Sequence, residues 1–235
     1  MSNTKDTFKI QEILRKNSIN YNIWLASHFI KYAGRNIIDI GSGYGNVIKN
    51  FIKNGRKITC LDIESEYIDY LNSNFGGFGL KAVKANFETF DVASLAGTFD
   101  NVSCFNVLEH LEDDHGALKK MYELLCPGGS VFLMVPAGKW LYGTMDASDA
   151  HFRRYSKKEL RDKLEKSGFI IHKLNYMNFF GMFGWFLNGR ILKTKIISSK
   201  QAGFFDKLVP MLKRLEDAVT PPLGQSLIVI AEKRL

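Results

Sequence analysis

The chain has 235 residues, 46% of them hydrophobic and 24% charged, and a formal net charge of +8. That apolar content suits one large domain with a full core, or a domain with a small appendage. No uninterrupted apolar stretch is long enough to span a bilayer. The three cysteines, Cys60, Cys104 and Cys126, form neither a disulfide framework nor a metal-ligand spacing, so no metal is expected. No secretory leader is legible, and a reducing cytoplasm is the expected compartment. The basic excess, concentrated from Lys157 to Lys213, is open to nucleic acid, anionic lipid or an anionic small substrate.

In chain order, residues 8–16 and 21–32 read as helices, a cap over positions 1–34. In the second, Ile23, Trp24, Ser27 and Ile30 fall on adjoining faces. Strands then alternate with helices. Residues 37–40 lead to a helix over 46–53, stopped by Asn54-Gly55. Residues 57–61 lead to a helix through Tyr67 and Leu71; 80–83 is a third strand and 102–105 a fourth. Asp113-Asp114 open the next helix, where acids favour the positive dipole end. Pro127-Gly128-Gly129 then turns into a fifth strand, 131–135. Ser156-Lys157-Lys158-Glu159 reads as a capping box, with Tyr155 placed to staple onto Leu160. Residues 169–174 and 226–231 are strands six and seven, separated by an insertion over 177–223. The alternation argues for an α/β fold with a doubly wound sheet, expected as a single domain over 1–235.

The stretch Asp39-Ile40-Gly41-Ser42-Gly43-Tyr44-Gly45 joins the first strand to the apolar pattern Val47, Ile48, Phe51, Ile52. A strand, a glycine loop and a helix start fall together. Glycines let a ligand approach the backbone, and N–H groups at the helix start are expected to donate to it. Spacing selects the ligand. A dinucleotide loop runs G-x-G-x-x-G; here the third glycine comes one residue early and an acid stands two residues before the first. Asp39 would repel a pyrophosphate and suits a ligand with an ammonium group.

This D-x-G-x-G-x-G stretch resembles the first motif of the class I S-adenosylmethionine-dependent methyltransferases. The resemblance runs from about Ile37 to the C-terminus. It implies a Rossmann-like seven-stranded sheet of order 3-2-1-4-5-7-6 with strand 7 antiparallel, N-terminal helices, and here a helical insertion between strands 6 and 7. It implies S-adenosylmethionine as cofactor, S-adenosylhomocysteine as product, and contacts from Asp39, Gly41, Ser42, Gly43 and Gly45. Asp62 ends the second strand, where an acid can accept from both ribose hydroxyls or cap the next helix. Ile63 would pack on the adenine, Asn86 accept from its amino group and Phe87 stack on it. Residues 99–110 are similar to the family's fourth motif, which puts Phe105 and Asn106 beside the methionine part. Cys126-Pro127-Gly128-Gly129 resembles its Pro-Gly-Gly turn.

A sulfonium methyl is already electrophilic, so orientation does much of the work and a base helps. His110, past the fourth strand, and His151 are the candidate bases, their ordinary pKa suiting proton abstraction from a hydroxyl. Leu-Glu-His is widespread in the family, so a second role for His110, ordering the loop, stays open. Tyr142, Arg153 and Arg154 are candidate substrate contacts, the arginines able to fork onto phosphate or carboxylate. Either arginine could instead pair with Glu109, Glu112 or Asp149. The aromatic, basic insertion reads as a lid, an interface with the N-terminal helices or a second subunit, or a segment docking on anionic lipid.

The expected function is methyl transfer to a small-molecule acceptor, an oxygen of an anionic, glycan- or lipid-related metabolite. The expected setting is the cytoplasm, with peripheral contact at the inner membrane face and a homodimer both open. A nucleic-acid methyltransferase is the enzyme alternative, but the fourth motif lacks Asn/Asp-Pro-Pro-aromatic and no nucleic-acid module is recognisable. A non-catalytic cofactor-binding or membrane-docking protein is the alternative from another class.

Overall fold

The computed structural model describes residues 12–52 and 55–234. Seven strands form one sheet of order 3-2-1-4-5-7-6. They are β1 (Asn36–Ile40), β2 (Lys57–Asp62), β3 (Leu80–Lys84), β4 (Phe99–Phe105), β5 (Leu125–Pro136), β6 (Phe169–Met177) and β7 (Ser226–Lys233). β1 to β5 pair in parallel, and β7 lies antiparallel between β5 and β6. Strand order and direction are those expected from the sequence.

Both faces of the sheet are covered, so the central strands are buried and mostly apolar. Neighbours along β1 serve opposite layers. Ile37 packs with Trp24, Phe29, Phe132 and Ile230, while Ile38 packs with Val102, Leu118, Val131 and Leu160. The parallel strands all end on one edge, beside the loops that follow β1, β2 and β4.

The helices are α1 (Ile19–Ser27), α2 (Ser65–Phe75), α3 (Asp114–Leu124), α4 (Thr144–Ser148), α5 (Lys157–Lys166), α6 (Phe179–Phe186) and α7 (Ser199–Ala218). Residues 12–17 are also helical, and the part of the first expected helix over 8–11 lies outside the described residues. No side chain of its own caps α1. Asp206 of α7 does so instead, its carboxylate accepting from the N–H groups of Asn20 (3.1 Å) and Tyr21 (2.9 Å). A carboxylate there meets both the unpaired donors and the positive dipole end. The N-terminal cap and the insertion are thereby joined.

Three local expectations are corrected. The helix expected over 46–53 is a 3-10 turn, Ile48–Phe51; Lys53 and Asn54 lie outside the described residues. The Asn50 side chain donates to the carbonyls of Asn46 and Val47, competing with the backbone for them. Pro127-Gly128-Gly129 does not precede β5 but lies within it, where the pairing register with β4 shifts. At α5, Ser156 accepts from the Glu159 N–H, but the Glu159 carboxylate pairs with Lys139 at 2.8 Å. Only half of the expected capping box forms.

Candidate active site

The glycine loop is built by conformation and close packing. Gly41, Gly43 and Gly45 have φ of 66°, 51° and 71°, where side chains are strained. A Cβ on Gly41 would lie 2.3 Å from Val107 Cγ2. The loop's N–H groups are used internally. Gly41 and Ser42 donate to Leu61 O, Gly45 donates to Ser42 O, and Gly43 donates to Asp62 Oδ2 at 2.8 Å. These four donors are occupied, so the three glycines offer no free N–H to an anion.

A cavity of about 570 Å³ opens over this edge of the sheet. Asp39, Gly41, Ser42, Gly43, Asp62, Ile63, Asn86, Phe87, Phe105, Asn106 and His110 line it. Tyr21 and Asn22 of α1 also line it, a contribution that sequence reasoning missed because helix periodicity says nothing of where a cap closes. Gly45 is not on the wall; it shapes the turn, and a Cβ there would lie 2.7 Å from Leu71 Cδ2.

Two of the cavity's carboxylates, Asp39 and Asp62, are buried. Asp39 accepts from Ser103 Oγ at 2.5 Å. Burial pushes its pKa up to about 7, against the hydrogen bonds of Ser103 and Ser42. Burial also raises Asp62, opposed by N–H donors including those of Gly43 and Glu64. A positive charge in this cavity would relieve both.

Other wall residues differ from expectation in detail. Asn86 Oδ1 already accepts from the Glu88 N–H at 3.0 Å, closing a local turn. Phe87 belongs to the core, 4% exposed, with the Lys120 ammonium 5.9 Å from its ring centre. Asn106 and Ala150, both on the wall, hold left-handed φ of 55° and 57°. Such strain gathers at functional sites.

His110 faces the cavity, and His151 stands behind it, ring centres 4.7 Å apart at 81°. His151 Nδ1 lies 2.9 Å from Asp146 Oδ1, and its Nε2 lies 3.4 Å from Asp149 Oδ2 and 4.0 Å from Glu109 Oε1. Burial works to lower its pKa, but the three carboxylates outweigh this and raise it to about 9. His151 therefore favours the imidazolium at neutral pH, a form that holds a charge and accepts no proton. Burial, then the His151 charge, lower His110 to about 4, leaving it neutral.

Glu109 is fully buried, and neither carboxylate oxygen has a hydrogen-bond partner among the described residues. Burial raises its pKa to about 7, opposed by the His151 charge. Ligand atoms of Glu109, His110 and His151 lie within 4.8 Å of one another. Two imidazoles and a carboxylate would suit a divalent ion once His151 lost its proton. The spacing Glu109-His110 gave no hint of this, because His151 is distant in sequence.

The three expected substrate contacts are not on the cavity wall. Arg154 is buried; its Nε donates to Asp146 Oδ1 at 2.7 Å and its Nη1 to Ala137 O at 2.9 Å. Arg153 pairs with Asp114 at 3.0 Å and donates to Glu112 O. Tyr142 donates its hydroxyl to His151 O at 2.8 Å. All three brace the loop that carries His151. Tyr155, expected as a staple, is buried with its hydroxyl donating to Asp114 Oδ2 at 2.9 Å. Asp146 is the hub: Arg154, His151, Trp185 Nε1 and the Gly143 N–H all donate to it.

A family model described as a methyltransferase domain matches residues 19–174. The chain belongs to that family, and it is a class I S-adenosylmethionine-dependent methyltransferase with S-adenosylmethionine as cofactor. The ubiquinone biosynthesis O-methyltransferase of Erwinia tasmaniensis is 29% identical over 111 residues, 46% of this chain and 45% of that protein. Its counterpart from Vibrio parahaemolyticus is 32% identical over 101 residues, 42% and 43% of the two chains. The match thus spans less than half of these relatives. An S-adenosylmethionine-dependent methyltransferase from Archaeoglobus fulgidus superposes with a TM-score of 0.62 at 18% identity, covering 91% of this chain and 93% of that one. Another, from Mesorhizobium loti, gives 0.61 at 15%, covering 86% and 92%. At such identities the likeness concerns the fold. No helix among the described residues is long and apolar enough to cross a membrane.

Proposed function

We propose that this chain transfers the methyl group of S-adenosylmethionine to an oxygen of an anionic, glycan- or lipid-related small molecule. The observation that carries the reading is Asp39, a buried carboxylate in a cavity whose glycine-loop donors are already bonded. Such a site suits an ammonium better than a phosphate.

Asp39 receives the ammonium group. Asp62, holding Gly43 with one oxygen, turns its remaining lone pairs to the ribose hydroxyls. The exposed Ile63 side chain covers one face of the adenine, Asn86 meets its amino group, and the edge of Phe87 closes the pocket. The backbone at Phe105 and Asn106 borders the methionine part. A cofactor held by these residues would supply an electrophilic methyl group, and orienting an acceptor against it would supply much of the rate.

His110 takes the proton. As the carbon–sulfur bond breaks and the carbon–oxygen bond forms, the acceptor hydroxyl releases a proton to the neutral imidazole. His151 holds His110 neutral and adds positive charge near the acceptor. An anionic acceptor fits that charge and the net +8 of the chain. Oxygen fits the neutral imidazole, and the relatives named above are called O-methyltransferases. The expected setting is the cytoplasm, at the inner membrane face for a lipid-linked acceptor.

Calorimetry with S-adenosylhomocysteine and NADH tests the cofactor; heat from NADH alone sinks the reading. Phosphorylated and glycosylated acceptors offered with labelled cofactor then test the acceptor class. Transfer to tRNA alone, with steep salt dependence, would replace it.

A further inference from the structure

The helix after β6 shows much of its apolar surface to solvent. α6 continues through a π-helical turn, Leu187–Ile191, as one rod. Its inward side carries Met182, 4% exposed, beside groups held by polar contacts: Asn188, which accepts from Gln201 Nε2 at 3.1 Å, and Trp185, whose Nε1 donates to Asp146 Oδ2 at 3.2 Å. Its outward side shows Phe180, Phe183, Phe186, Leu187 and Ile191, from 37% to 59% exposed. A surface helix of a globular protein normally turns its apolar stripe inward. Trp140, after β5, extends the patch with its ring 5.9 Å from Phe186.

Charge says what covers this face. From Asn178 to Phe205 every charged residue is a cation: Arg190, Lys193, Lys195 and Lys200. All four are exposed. A second copy packed face to face across a two-fold axis would set these cations against their own images. The cores of protein interfaces are poor in lysine. Aromatic and leucine side chains beside lysine and arginine, with no acid, instead match an interfacial helix on anionic lipid.

We propose that the outward face of residues 179–195 is a peripheral docking surface for an anionic lipid bilayer. The surface is tied to the site: Trp185 bonds Asp146, Asp146 holds His151, and His151 stacks on His110 at the cavity wall. This goes beyond the methyl-transfer reading and rests on different residues.

The test is flotation of the full chain with phosphatidylglycerol–phosphatidylcholine vesicles and with phosphatidylcholine alone. The chain should float with the anionic vesicles, and salt should release it. Phe183→Ser with Leu187→Ser should lower partitioning about tenfold or more. Lys193→Gln with Lys195→Gln should lower it roughly twenty-five-fold at low salt, about fivefold per cation. Both variants should keep the S-adenosylhomocysteine heat of the wild type, showing that the site is intact. Absence of flotation, flotation indifferent to both variants, or a sedimenting dimer that the Phe183 variant dissolves would each overturn the proposal. A wild type that floats but gives no S-adenosylhomocysteine heat would sink the cofactor reading and leave the docking surface standing.

Discussion

His110 and His151 stand ring against ring, 4.7 Å apart, yet they settle on opposite protonation states. Carboxylates on three sides hold the proton on His151, and that charge together with burial keeps it off His110. When two titratable neighbours are driven apart in this way, one becomes the acceptor of a reaction proton and the other the fixed charge.

His110→Ala should lower the turnover number by about 10²–10⁴, the usual worth of a positioned base. S-adenosylhomocysteine affinity, read by calorimetry, should stay within about twofold, a shift of about 0.4 kcal/mol. An unchanged turnover number would remove His110 from the reaction. His151→Gln removes the neighbouring charge, so the His110 pKa should rise. The acid limb of the kcat profile should then move to higher pH.

The raised pKa of His151 also makes stability depend on pH. Its contribution is fully present below the ordinary value of 6.5 and is lost as pH rises through about 9. Urea unfolding should show the wild type losing on the order of 2–3 kcal/mol across that window. His151→Gln should lose visibly less, and equal losses would mean that another group titrates.

Asp39 gives cofactor binding the opposite slope. Its carboxyl, pushed up to about 7 by burial, must ionise to receive an ammonium group. Affinity for S-adenosylhomocysteine should therefore rise as pH increases through about 7. Asp39→Asn should flatten that dependence and weaken binding by about 2–5 kcal/mol, the cost of truncating one partner of a buried charged pair.

Arg153 and Arg154, adjacent in the chain, should behave unlike each other in thermal and urea unfolding. Arg154→Ala leaves Asp146 short of a buried partner and should destabilise by about 3–5 kcal/mol. Arg153→Ala breaks a partly exposed pair whose acid, Asp114, still has Lys163, and should cost under about 1 kcal/mol. If either variant instead raised the KM for acceptor with stability intact, that arginine would touch substrate after all.

The fold was legible because its signals are local. Alternation of apolar strands with helical spacing set the seven strands, and every expected strand lies within the observed one. The glycine loop was legible in place but not in detail. That Leu61 and Asp62 occupy its N–H groups depends on β2 pairing with β1, which residues 39–45 do not record. The helix over 46–53 failed for a local reason, since one asparagine side chain competes for the carbonyls that a helix needs.

By itself, the sequence determined the sheet, the glycine turn and the two acids that end β1 and β2, because strand period and glycine conformation act over a few neighbouring residues. Only the tertiary structure decided which polar groups meet the cavity and which charge each carries. Asp146 made His151 favour the cation and drew Arg154 into the interior, while the Glu109 carboxylate was left buried without a hydrogen bond among the described residues. Burial and the nearness of opposite charge set those outcomes, and both come from residues that meet only when the chain is folded.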